Sequence, residues 1–194
     1  MADQLPEVLA TMRSLGYVVF DGGPHDLNIV GIRSAKPVVN TFCDRLCVFY
    51  REVKGGPWVS KSWAATTNPG TYWLQNPMHA SGTGILVPGQ YRNSHSIGMH
   101  RGSYQALVQT GKLKLWLDAN KDNVLDHDPA RVIEGKGYGI NIHHAGTAST
   151  KVDKWSAGCI VFANLADFDE FMFVANKAAA IWGPTFTLTL LQAT

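Results

Sequence analysis

The chain has 194 residues, 45% hydrophobic and 16% charged, with 19 glycines and a formal net charge of +2. The charged share lies well below the globular average of about 25%, and together with the aromatic and glycine content it excludes a disordered chain and a coiled coil. There is no run of Lys or Arg and no apolar run of about 18 residues, so neither a nucleic-acid partner nor a membrane-spanning helix is expected; the mild basicity suits an anionic polymer.

In chain order, residues 6–15 predict a short amphipathic helix, with Val8, Leu9, Met12 and Leu15 at helical spacing and Gly16 ending it. The same opening segment lacks a basic stretch followed by an apolar one. No export signal is therefore expected, and the chain is expected to be made in the cytoplasm without a membrane anchor. Short β-like runs at 17–20 and 27–32 flank the turn Asp21-Gly22-Gly23-Pro24. From residue 37 strand signals dominate, at 38–42, 45–53, 58–66, 70–74, 84–88 and 113–117, punctuated by Gly/Pro breakers. Residues 94–104 read as a polar, aromatic loop, followed by a short helix over 104–110. Near the end, Leu165, Phe168, Phe171, Met172, Ala175, Ala178, Ala179 and Trp182 form an apolar stripe at helical spacing. Asn164 or Asp167 can cap that helix, Gly183-Pro184 stops it, and 185–191 alternates like a strand. The expected class is α+β and β-rich.

Three cysteines are an odd number, which excludes a complete disulfide framework. Cys43 and Cys47 fall in one expected strand, about 13 Å apart along it, whereas a bridge needs Cα atoms within about 7 Å. Both are expected to be small buried hydrophobes.

Cys159 has different surroundings. Residues 139–146 read Gly-Ile-Asn-Ile-His143-His144-Ala-Gly, and 154–159 read Lys-Trp155-Ser156-Ala-Gly158-Cys159. A free thiol is only a few per cent ionised at neutral pH, so a nucleophilic cysteine needs an imidazole that lowers its pKa and shuttles the proton. Adjacent strand residues face opposite ways, so only one of His143 and His144 can serve. Gly158 lets backbone approach a ligand closely, so that amides around it can hold an oxyanion, and Ser156 can hydrogen-bond the loop into shape. The plain alternative is a buried cysteine near satisfied histidines. Upstream, His100, Arg101 and Tyr104 can contact a carboxylate or sugar if they line a cleft, and otherwise form an ordinary surface loop. The six tryptophans are mostly expected in the core, and Trp155, adjacent to the motif, is the one expected to line the cleft.

His143, twelve intervening residues, then Ser156-x-Gly158-Cys159 resembles the signature of the L,D-transpeptidase (YkuD-type) family. Residues 40–50 resemble that family's opening pair of strands, and 66–73 its Thr/Pro-rich segment. The resemblance covers roughly residues 37–191. It implies an L,D-transpeptidase-like β-sandwich or sheet core with a helix after the cysteine, a catalytic domain over 37–194, and residues 1–36 as an N-terminal extension packed on it. It also implies that Cys159 attacks a stem-peptide carbonyl of peptidoglycan, with His143 as base, oriented by a backbone carbonyl just after it, and with His144 as either a substrate contact or a solvent-exposed residue. Many members read Ser/Thr-His-Gly-Cys-Ile-Arg; here Ala157 replaces the His and Val161 the Arg, which leaves Arg101 as a candidate carboxylate anchor. Without an export signal, the expectation is a phage-type lytic peptidase, endolysin-like, that reaches the cell wall after release through a membrane hole. A crosslinking L,D-transpeptidase, a non-catalytic wall-binding or virion module, and a cytoplasmic cysteine peptidase or amidase are the alternatives. No cofactor is required by this chemistry.

One further motif stands outside it. Asp118, Asn120, Asp122 and Asp126 imitate the start of a calcium loop, with oxygens at alternate positions, Asn123 where such loops carry Gly, and Pro129 where they carry a bidentate Glu. A structural calcium and a plain acidic hairpin turn are the two readings. His95, His100, His127 and His144 lack the spacing of a zinc site.

Overall fold

The structure is a computed structural model that describes residues 5–194. In chain order it comprises α1 (Glu7–Ser14), β1 (Asn28–Arg33), β2 (Asp44–Arg51), β3 (Trp58–Thr66), α2 (Thr71–Gln75), β4 (Thr83–Leu86), β5 (Gly89–His100), β6 (Tyr104–Gln109), β7 (Leu113–Asp118), β8 (Val132–Gly135), β9 (Ile142–His144), β10 (Ile160–Phe162), α3 (Leu165–Trp182) and β11 (Thr185–Gln192), with one 3-10 turn at Pro129–Arg131. Eight strands close a barrel in the order β1-β11-β5-β6-β9-β10-β3-β2, and β4-β7-β8 form a separate three-stranded sheet. Within the barrel, β1–β11 and β9–β10 run parallel and the other pairs antiparallel. The β-rich α+β class is as expected. Where a β-sandwich or sheet core was expected the main sheet closes into a barrel, because alternation along a strand specifies its buried face but not whether the sheet closes.

One apolar core joins barrel strands, the small sheet and α3, with Leu46, Leu115, Phe162 and Phe171 among its members. The stripe on α3 turns Phe168, Phe171, Met172, Ala175 and Ala178 inward. Asn164 caps the helix by accepting from the Asp167 amide at 2.9 Å, and Gly183, at φ +89°, ends it. A second cluster lies under α1, where Leu9 and Met12 pack with Val30, Cys47, Phe49 and Leu191. Residues 28–33, assigned by sequence to an N-terminal extension packed on the domain, are the barrel strand between β2 and β11. The first four residues of that segment lie outside the described residues.

Several local expectations change. The run at 17–20 is not a strand; Val18 bonds instead through both backbone groups to the Gln90 side chain. Residues 38–42 are turn-like, with Asn40 at φ +67°. The expected strand at 70–74 is helix α2, and the expected helix at 104–110 is strand β6, a short apolar run whose period alone decides neither. The expected loop at 94–104 is largely the end of β5, disguised by buried polar residues such as Ser94, His95 and His100. Cys47 is buried beside Ser62, but Cys43 is exposed, because it precedes β2 rather than lying in it.

Candidate active site

The parallel pair β9–β10 brings the two halves of the motif together. Ile160 lies beside Ile142 and Val161 beside His143, so Cys159 leaves the turn next to Asn141. Alternation places Asn141, His143, Cys159 and Val161 on one face. Ile142, Ile160 and Phe162, on the other, enter the core. Cys159 and His143 are thus diagonal neighbours on adjacent strands.

His143 is almost fully buried and its ring is fixed on one side. Its Nδ1 lies 2.9 Å from the backbone carbonyl of His144 and 3.3 Å from the Tyr104 hydroxyl. The carbonyl can only accept, so Nδ1 carries the proton and Nε2 is left as the basic nitrogen. The His100 ring stacks on it at 4.1 Å and 20°. Burial, with the nearby His100, pushes the His143 pKa down to about 3. The imidazole is therefore neutral at any ordinary pH.

The Cys159 thiol is half-buried; its Sγ donates to the Gly139 carbonyl at 3.2 Å and accepts from the Asn141 amide at 3.4 Å. Burial pushes its pKa up, while the Asn141 amide and the Arg101 charge pull the other way. The sequence called for a thiol depressed by its imidazole. Burial instead favours the neutral form of both groups, thiol and imidazole. The contacts with the sulfur carried no sequence signal, because the Gly139 carbonyl and the Asn141 amide are backbone groups.

The turn before the cysteine is held by buried Ser156. Its hydroxyl donates to the Cys159 carbonyl at 2.7 Å and accepts from the Gly158 amide at 3.2 Å. That second bond occupies the Gly158 N–H itself. Glycine is required at 158 for another reason: φ is +125°, and a Cβ would sit 2.5 Å from the Gly84 carbonyl oxygen. The 66–73 segment braces the same loop, since the Gly70 amide donates to the Ser156 carbonyl at 2.9 Å and Trp73 Nε1 to the Lys154 carbonyl at 3.0 Å. Asn40 ties both pieces, its Oδ1 accepting from the Thr71 and Asp153 amides.

His100 and Tyr104 end β5 and begin β6 and reach this site; Arg101 sits exposed in the turn between them at φ +50°. Asn141 Nδ2 donates to His100 Nδ1 at 3.1 Å, which leaves the proton of that neutral ring on Nε2. His144 packs its ring between Tyr104 and Phe168, at 4.4 and 5.0 Å. Trp155 is exposed and lines a shallow depression of about 590 Å³ with Tyr72 and Lys154, whose walls include neither Cys159 nor His143. Sequence reasoning set His95 aside, yet it is fully buried, accepting from Ser94 Oγ and donating through Nε2 to the Ile140 carbonyl at 2.9 Å, just before β9. The acidic loop lies elsewhere, beyond β7, and among the described residues no three His, Cys, Asp or Glu side chains form a ready metal centre.

Two buried histidines make stability pH-dependent. Burial lowers His95 to about 4 and His143 to about 3, below the unfolded value near 6.5. The unfolded chain then binds more protons, so stability is full above about pH 6.5 and falls as pH drops toward 3, by about 1.4 kcal/mol per pH unit per group. Thermal melts at pH 7, 6 and 5 should show a falling Tm. His95→Asn should flatten that slope, and a slope equal to the parent's would remove His95 from the account.

Family models, curated proteins and solved structures return no match to this chain.

Proposed function

We propose that the protein is a cysteine acyl-transfer enzyme acting on peptidoglycan stem peptides, in the manner of the L,D-transpeptidases that its motif resembles. The observation that carries this reading is the clamp of His143 Nδ1 on the His144 carbonyl, which leaves Nε2 unprotonated on a residue that alternation puts on the same face as Cys159. In this mechanism Nε2 takes the thiol proton, the sulfur attacks the carbonyl carbon, and the Asn141 amide stabilises the sulfur as it gains charge. The protonated imidazole then gives that proton to the leaving amine. Water or a second amine resolves the acyl-enzyme, with the same nitrogen as base.

Arg101, exposed beside His100 and without an acidic partner among the described residues, is positioned to receive a substrate carboxylate in place of the motif arginine absent at Val161. Hydrolysis is the favoured outcome, delivered to the wall after release from inside the cell as a lytic peptidase; crosslinking transpeptidation is the second reading of the same site. Purified stem tetrapeptides and muropeptides, incubated with the protein and read by mass spectrometry, test this. Shortened or cleaved stems support hydrolysis, and new L,D-crosslinked dimers without them would make it a crosslinking enzyme. No product of either kind would overturn the proposal.

A further inference from the structure

Beyond β7 the chain enters a nine-residue turn whose oxygens lack enough donors. Asp118, the last residue of β7, is 1% exposed. Its Oδ2 accepts from the Asp126 amide across the loop at 3.1 Å, so its carboxylate lies inside the turn. Its Oδ1 is buried and has no hydrogen-bond partner. A protonated carboxyl would need an acceptor there, and an ionised one needs donors or a cation; neither donor nor acceptor is supplied by the protein. Asn123 Oδ1 is a second buried oxygen without a partner in the same loop.

The backbone turns sharply at two points of the loop. Lys121 and Asn123 are left-handed, at φ +64° and +65°, and Asn123 stands where such loops use Gly. Asn120 Oδ1 accepts from the Asp122 amide and Asp122 Oδ1 from the Val124 amide, the side chains thereby turning along the inside of the loop. We propose that residues 118–126 bind one calcium ion, through the side-chain oxygens of Asp118, Asn120, Asp122 and Asp126 and the Val124 carbonyl. Calcium takes six to eight oxygens in flexible geometry, mixing carboxylate, amide, carbonyl and water. It therefore suits a loop whose carboxylates do not yet converge, whereas magnesium demands a near-ideal octahedron. The Asn120–Asp126 side-chain bond at 2.8 Å is the contact that has to open as Asp126 turns to the ion. The site stands independently of the chemistry at Cys159.

Melting of the full chain in calcium chloride and in EGTA, with terbium luminescence sensitised by Trp116 two residues before the loop, tests this. With calcium at about 100-fold over its Kd, Tm should rise by about 5 °C or more, and millimolar magnesium should give much less. Asp118→Asn should abolish the shift and the luminescence. In EGTA that variant should melt no lower than the parent, because it removes a buried carboxylate that lacks a counter-charge. No calcium shift and no terbium signal in the parent would overturn the site, as would an equal shift retained in Asp118→Asn. An equal response to magnesium would overturn the assignment to calcium.

Discussion

Cys159→Ala should reduce release of stem-peptide products by about 10⁴-fold or more, to the level left by substrate binding alone. The variant should remain folded. The thiol is half-buried, and its polar contacts are one donated and one accepted bond at 3.2 and 3.4 Å, so its loss costs on the order of 1 kcal/mol. Co-sedimentation with purified sacculi separates the enzyme from its alternative. An enzyme lacking its nucleophile still binds but no longer turns over. A wall-binding module would show no turnover in either form, and parental turnover in the variant would place the chemistry elsewhere.

His143→Ala should lower turnover by about 10²- to 10⁴-fold, the range for loss of a general base, while His144→Ala should act mainly on stability. The two histidines differ in what they touch. His143 presents one free nitrogen on the cysteine face, and His144 is wedged between Tyr104 and Phe168. The pH profile carries a sharper expectation. Because burial holds His143 near 3, the acid limb of kcat/KM should lie well below the 6.5 of an ordinary histidine, and activity at pH 5.5 should stay close to that at pH 7. Protonation of the base abolishes the reaction only as pH falls through the folded value. Half-loss near pH 6.5, or a greater loss in His144→Ala than in His143→Ala, would show that the base had been misassigned.

What could be read from the chain beforehand follows from where the information resides. The helix at 165–182 was legible because apolar side chains repeat there at the helical period, and the strands near 45–51 and 58–66 because runs of strand-favouring residues lie there between Gly/Pro breakers. Strand β5 was hidden: Ser94, His95 and His100 are polar residues in buried positions, and the two histidines are satisfied by Ile140 and Asn141, distant in sequence. At the site, Cys159, His143 and Ser156 were visible as side chains at a fixed spacing. Asn141, Gly139 and the His144 carbonyl were not, since a main-chain group leaves no letter in the sequence. The bond from the Gly158 amide to the Ser156 hydroxyl is equally invisible in the sequence, because one of its partners is a main-chain group.

The seam of the barrel has a consequence for how the molecule is made. β1 pairs with β2, its neighbour in sequence, and on its other side with β11, almost a chain length away. Until that second pairing forms, both strands present bare ladders of N–H and C=O groups, the geometry that recruits strands from other molecules. Closure over so long a loop is slow, on the millisecond-to-second scale typical of topologies rich in distant contacts. During synthesis β1 must wait, unpaired on one side, until nearly everything else has been translated. The cover over this vulnerable strand is α1, whose Leu9 and Met12 rest on Val30 of β1 and Leu191 of β11. This short helix therefore acts as a clasp across the seam. Shortening it should reduce the yield of soluble protein more than it alters the chemistry at Cys159.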